Sequence, residues 1–176
     1  MSLRQSRQQG NERRSNLRTR PSLEWLEGRV VLTTFNVNST SDTVAVDFHN
    51  GKDASGQISL RSAIMAADSQ GGSSTINLPS GTFALKRGGA NEDAGATGDL
   101  DLKGNITIKG ASAPSTVIDG GSLDRVIDIH SGKVTISNLT IQGGRAVGGS
   151  GGGLLNEGAT VTLSGVAIQN NEPSEN

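Results

Sequence analysis

The chain has 176 residues, enough for one domain, with 32% apolar and 2% aromatic content, 25 glycines and no cysteine. These figures exclude a disulfide framework, a thiolate metal site and a thiol nucleophile, and they leave a core to be built from small aliphatic side chains. The formal charge of −1 hides an asymmetry: residues 1–30 hold seven arginines against three glutamates, a surplus of +4, so the remainder carries −5.

Residues 1–22 are rich in Arg, Gln, Asn and Ser with hardly an apolar side chain. Such a composition cannot bury enough surface to offset the entropy of ordering, so a disordered basic leader is expected. No aromatic residues are interleaved for base stacking, and no nucleic-acid partner is expected. Arg13 and Arg14 form a twin-arginine pair, but the SNLRTR that follows is not an apolar segment. No run approaches the length of a membrane span.

Residues 23–33, LEWLEGRVVLT, resemble the short N-terminal motif of planctomycete exported proteins, which in that family follows an arginine-rich leader; Leu23, Glu24, Leu26, Glu27, Arg29, Leu32 and Thr33 fit it. The resemblance implies an exported protein, extracellular or of the cell envelope. The residues alone also read as a short amphipathic helical turn leading into a strand.

Beyond this, Phe35 and Val37, then Val44, Val46 and Phe48, alternate with polar residues and predict a pair of short strands. At residues 59–68, SLRSAIMAAD, the period changes: Leu60, Ala63, Ile64 and Ala67 form one stripe of a short helix, with Ser59 as its N-cap and the QGGSS segment ending it. From Thr75 onward the chain is a series of short β-branched runs, TINL, NITIKG, STVIDG, DRVIDI, KVTISNLTI and TVTLSGVAI, punctuated by Gly, Asn and Ser.

Those runs repeat. Val126 and Gly153, Val134 and Val161, and Ile141 and Ile168 are separated by one and the same interval, and Ile106 precedes Val134 by a single position more. Fixed-period self-similarity marks a solenoid, and the few turn residues between runs are too short for helical crossovers. An all-β fold is therefore expected: a short right-handed parallel β-helix over residues 34–172, with a capping helix at 59–68 and a tail at 173–176. Val134, Ile136, Leu139 and Ile141 should lie under Val161, Leu163, Val166 and Ile168. An antiparallel sandwich of about eight strands is the runner-up.

The stretch ISLRSAIMAAD with STINLPSGTFAL, TGDLDLKGNITIKGASAPSTVIDGG and the glycine-rich turns resembles bacterial exported right-handed β-helix proteins of the pectin-lyase-like superfamily. Their opening is typically C-S-L-R-E-A-I-x-x-A-N; here Ile58 stands for the Cys, Ser62 for the Glu, Asp68 for the Asn and Phe83 for the Tyr of the coil that follows. The resemblance implies a helix that covers the first coil. Polysaccharide lyases and hydrolases on this fold use clustered acids and Ca²⁺.

Carboxylates that could serve such chemistry are Glu92, Asp93, Asp99, Asp101, Asp119, Asp124 and Asp128. Asp99 and Asp101 face one way on a strand, so with Glu92 or Asp93 they are the candidates for a Ca²⁺ site, although the spacing is not that of a calcium loop. His49 and His130 have no ligand partner at motif spacing and read as surface or turn residues. The run GGRAVGGSGGG lacks the Lys-Ser/Thr of a phosphate loop and reads as a turn between coils.

No catalytic set and no required cofactor emerge. The expected function is a non-catalytic extracellular or cell-surface module with a structural or adhesive role, a truncated copy of a larger surface protein being one form of it. A carbohydrate-binding module or a polysaccharide lyase or hydrolase is the alternative. Expected partners are a polysaccharide, a surface protein, or another β-helix chain stacked end to end.

Overall fold

A computed structural model describes residues 32–89, 92–147 and 149–173. The leader, residues 23–31 of the export-type motif and residues 174–176 of the tail lie outside the described residues; Leu32 and Thr33 open the first strand.

In chain order the elements are β1 (Leu32–Asn36), α1 (Leu60–Gln70), β2 (Ser73–Asn77), β3 (Gly81–Ala84), β4 (Leu100–Leu102), β5 (Asn105–Lys109), β6 (Thr116–Asp119), β7 (Ile127–Ile129), β8 (Lys133–Gln142), β9 (Leu154–Asn156) and β10 (Thr160–Gln169). The protein is thus mostly β with one short helix, and every pairing between these strands is parallel. That removes the antiparallel sandwich. One sheet runs β1-β2-β5-β8-β6-β3 with β10 also on β8, and a second runs β4-β7-β9.

The register is the one the repeat demands. Val134 pairs with Val161, Ile136 with Leu163, Leu139 with Val166 and Ile141 with Ile168, and Ile106 pairs with Val134. Side chains alternate across the strands, so inward residues stack in columns: Phe35, Ile76, Ile108 and Ile136 form one, and Phe83, Ile118 and Ile141 another. All of these are buried. Each fully buried aliphatic side chain contributes about 1.5–3 kcal/mol, which lets a chain so poor in aromatics hold together.

The sheet curls because β8 and β10 turn within their length. The first half of β8 pairs with β5 and the second with β6. At the corner Asn138 has φ 56° and its counterpart Gly165 φ 62°, the left-handed region that Gly and Asn tolerate best.

The helix forms where expected, over Leu60–Gln70 with Ser59 as N-cap. The Ser62 amide donates to Ser59 Oγ at 3.0 Å, and the Ser59 amide donates to Ser62 Oγ at 2.9 Å. Serine at 62 therefore completes a capping box at the start of the helix. Residues 44–48, in contrast, are not a strand. Asp47 Oδ1 accepts from the amides of His49 and Asn50, closing a tight turn with only an isolated bridge to Lys52, and Val46 and Phe48 stay exposed. Local Asx-turn chemistry overrides the alternating pattern.

Arg61, nearly inaccessible, ties the helix to the segment before it and to the one that leads into β4. It pairs with Asp42, whose side chain is also buried, and its guanidinium donates to the carbonyls of Gly95 at 3.0 Å, Gly98 at 2.8 Å and Asp99 at 2.8 Å. A planar fork with several fixed donors is what these acceptors need. Arg61→Leu would leave Asp42 with only the amides of Lys86 and Arg87 among the described residues, remove the guanidinium from three carbonyls, and is expected to lower unfolding free energy by about 3–5 kcal/mol. Urea denaturation checks this; an unchanged midpoint would show that the clamp adds no stability.

Candidate functional site

The residues with chemical potential collect on the outward side of the β4-β7-β9 sheet. Leu100 and Leu102 on β4, and Ile127 and Ile129 on β7, point into the core, so Asp101 and Asp128 between them point out, and they are ladder partners. Both are nevertheless buried, at 2% and 6% exposure. The segment carrying Gly95 lies over β4, close enough that a Cβ on Gly95 would sit 3.9 Å from Asp101 Oδ2.

Two bases answer the acids. Arg125 Nε lies 2.8 Å from Asp99 Oδ2, and its Nη1 3.4 Å from Asp128 Oδ2; Nε makes no directed hydrogen bond, so the contact is an ion pair rather than an aligned donor. His130 bridges two carboxylates, with Nε2 2.8 Å from Asp101 Oδ1 and Nδ1 2.9 Å from Glu157 Oε2. Two carboxylate oxygens, Asp101 Oδ2 and Asp128 Oδ1, are buried without a partner.

Crowded burial raises the acids. Burial, then the charges of Asp101 and Asp124, push Asp99 up to about 7 against the pull of Arg125. Asp101 and Asp128 are raised by burial, opposed chiefly by His130 and by Arg125 respectively. For His130, burial works against the imidazolium but is outweighed by the Asp101 hydrogen bond and the charges of Asp128 and Asp101, so its pKa rises. Asp68, whose carboxylate accepts from the Lys103 amide at 2.9 Å, is pushed by burial to about 6.

The acids named from sequence divide accordingly. Asp99, Asp101 and Asp128 come together, with Asp124 buried nearby and bonded to the Arg125 amide. Asp93 has a ligand atom within 4.8 Å of those of Asp101 and His130. Glu92 instead braces its own loop, accepting from the amides of Ala94 and Thr97. Asp119 lies elsewhere, accepting from Gln142 Nε2 and the Gly121 amide. Of the four Ca²⁺ candidates, Glu92 accepts from amides of its own loop and Asp99 is paired with Arg125.

The expectation for His49 and His130 needs correction at one of them. His49 is exposed, but His130 is a partly buried junction between two acids. Its partners were invisible to motif spacing because Asp101 and Glu157 each belong to a neighbouring copy of the repeat, one before and one after. The repeat itself held the signal, since Lys103, His130 and Glu157 follow one another at the repeat interval, as do Asp101 and Asp128.

A second feature lies on the outward face of the larger sheet. Thr34, Thr75, Thr107, Thr135 and Thr162 pair in sequence, one per strand across β1, β2, β5, β8 and β10. Beside this row, Ser73, Asn105 and Lys133 join Thr107 and Thr135 in lining a shallow recess of about 340 Å³. No helix among the described residues is long and apolar enough to cross a membrane.

Asp68, Asp99 and His130 all have raised folded-state values, so the stability they contribute is fully present below their unfolded values and is lost as pH rises through the folded ones. For the two acids that window runs from the ordinary 3.8 to about 6 and about 7. With a chelator present, the thermal midpoint is expected to fall by about 5 °C between pH 5 and 8. Asp68→Asn should shallow that slope, and a midpoint that climbs with pH over the interval would contradict the assignment. Asp53 works in a lower window: hydrogen bonds from Ser55 first, with Thr43 and Gln57 assisting against burial, hold it at about 2, so its contribution is lost only as pH falls from 3.8 through that value.

Compared with protein-family models, curated proteins and solved structures, the chain matches none.

Proposed function

We propose that the chain is a non-catalytic module of an exported right-handed parallel β-helix of the pectin-lyase-like kind, with a structural and adhesive role at a cell surface. Its threonine face is the adhesive surface, and its ligand is a hydroxyl-rich repeating polymer such as a polysaccharide. The in-register threonine row carries this reading. Parallel strands set its rungs about 4.8 Å apart, and each rung offers a hydroxyl that both donates and accepts beside a methyl group. Such a rigid, repeated array suits a chain ligand with repeated hydroxyls, and it loses little entropy on binding.

Two further observations favour a module without turnover. Asp99, Asp101 and Asp128 are buried and tied to Arg125 and His130, whereas glycoside hydrolysis requires two carboxyl groups open to a bond held between them. The in-register stacking of each copy on the next fits coils wound round one axis. At its far side β10 exposes Leu163 and Ile168 with no strand beyond it among the described residues, which suits a further parallel rung from another chain of similar build.

A panel of insoluble polysaccharides tests this, assayed for retention of the protein and for released reducing or unsaturated ends, with and without Ca²⁺. Retention without release is expected. A Thr107→Val/Thr135→Val double variant, which keeps β-branching but removes two hydroxyls, should bind about tenfold or more weakly. Released ends would contradict the non-catalytic reading, and undiminished retention of the folded double variant would contradict the threonine face.

A further inference from the structure

We propose that Asp128, His130 and Glu157 form a binding site for a divalent transition-metal cation of the zinc type, with Asp101 holding the imidazole in place. The ligand atoms of the three residues lie within 4.8 Å of one another. Asp128 and His130 stand two apart, on and just after β7, and Glu157 follows β9 one repeat beyond His130. A bound cation would therefore tie one rung to the next.

The site is built around unmet demand. Asp128 Oδ1 is buried with no hydrogen-bond partner, and so is Asp101 Oδ2. A buried carboxylate oxygen without a counter-group is costly, and the ordinary solutions are a hydrogen bond, an ion pair or a metal. The charge count points the same way. The four carboxylates of Asp99, Asp101, Asp128 and Glu157 share two bases, Arg125 and His130, in these ion pairs, so acids outnumber the cations that answer them.

His130 supplies the selectivity. A neutral imidazole has one N–H, yet both ring nitrogens face carboxylates, at 2.8 Å from Asp101 and 2.9 Å from Glu157. With the proton on Nε2 and donated to Asp101, the lone pair on Nδ1 points at Glu157, and only a second proton or a cation can reconcile the two. A metal-bound histidine whose other nitrogen donates to a carboxylate is the arrangement that fixes ring orientation in zinc sites. One nitrogen with two carboxylates suits zinc-like cations, whereas Ca²⁺ seeks six to eight oxygens. Glu157, with a half-exposed side chain, opens the site to solvent. A second trio, Asp93, Asp101 and His130, also brings its ligand atoms within 4.8 Å of one another, and the Asp93 variant separates the two.

The test uses the full chain, stripped with EDTA and dialysed. Zn²⁺ is followed by calorimetry and thermal denaturation, and Co²⁺ by its visible ligand-field absorption. One equivalent should bind, and Zn²⁺ at a hundredfold excess over its Kd should raise the thermal midpoint by about 5–10 °C. His130→Asn and Glu157→Gln should each weaken binding at least tenfold and abolish or alter the Co²⁺ bands, and Asp101→Asn should weaken it about 10–100-fold. Asp93→Asn and His49→Asn should leave it unchanged. Glu157 is exposed enough that Glu157→Gln keeps the fold, checked by circular dichroism, so it remains informative if His130→Asn does not fold. Absence of both the band and the midpoint shift in the wild-type chain overturns the proposal. So does binding that Glu157→Gln leaves intact, or Ca²⁺ binding as tightly as Zn²⁺.

Discussion

Parallel stacking of each repeat directly on the one before it is the constraint on which everything else in this protein rests. Once Val161 lies on Val134 and Val134 on Ile106, each side chain meets its counterpart from the neighbouring copy. Inward positions become aliphatic columns and outward positions become rows. A core with so few aromatic residues is stable only because like stacks on like, each rung filling the space above an equivalent one.

The same constraint creates the least comfortable place in the fold. Register puts Asp101 beside Asp128, and like charges directly opposite on adjacent strands repel. The molecule answers with Arg125 between Asp99 and Asp128, His130 on Asp101, and a loop laid over the group. Burial strengthens each attraction and each repulsion together, so the acids are pushed toward protonation and two oxygens remain without partners. The adhesive surface we propose belongs to a different face. The threonine row is polar and uncharged along its length, and it is set out by the β1-β2-β5-β8-β10 strands while the acids sit on the smaller sheet.

Much of this was legible in the residues. The repeat predicted the parallel register rung by rung, and the change of period at Leu60 placed the helix and its Ser59 cap. What resisted reading has a physical pattern. Val44 to Phe48 alternated like a strand, but Asp47 offered the backbone a turn closed by its own carboxylate. The role of Arg61 was not legible, because its acceptors, the carbonyls of Gly95, Gly98 and Asp99, come only after β2 and β3 have intervened in the chain. His130 looked solitary because ligand motifs are sought at short spacing, whereas the carboxylates it pairs with, Asp101 and Glu157, sit one rung away in space and about a full repeat away in sequence. In a stacked chain the repeat length is the spacing at which to look for sites.

The register is open to a direct measurement, because the chain has no cysteine of its own. Ladder partners in a parallel sheet have Cα atoms about 4.8 Å apart, inside the roughly 4.4–6.8 Å that a disulfide spans. Thr135→Cys with Thr162→Cys joins such a pair on the outward face, while Thr135→Cys with Leu163→Cys places the second thiol one position out of register and on the opposite face. Under mild oxidation, with mass spectrometry to read the bond, the first pair is expected to close within one folded chain and the second to stay reduced. Closure of the second pair as readily as the first would contradict the in-register stacking from which the core, the acid cluster and the threonine face all follow.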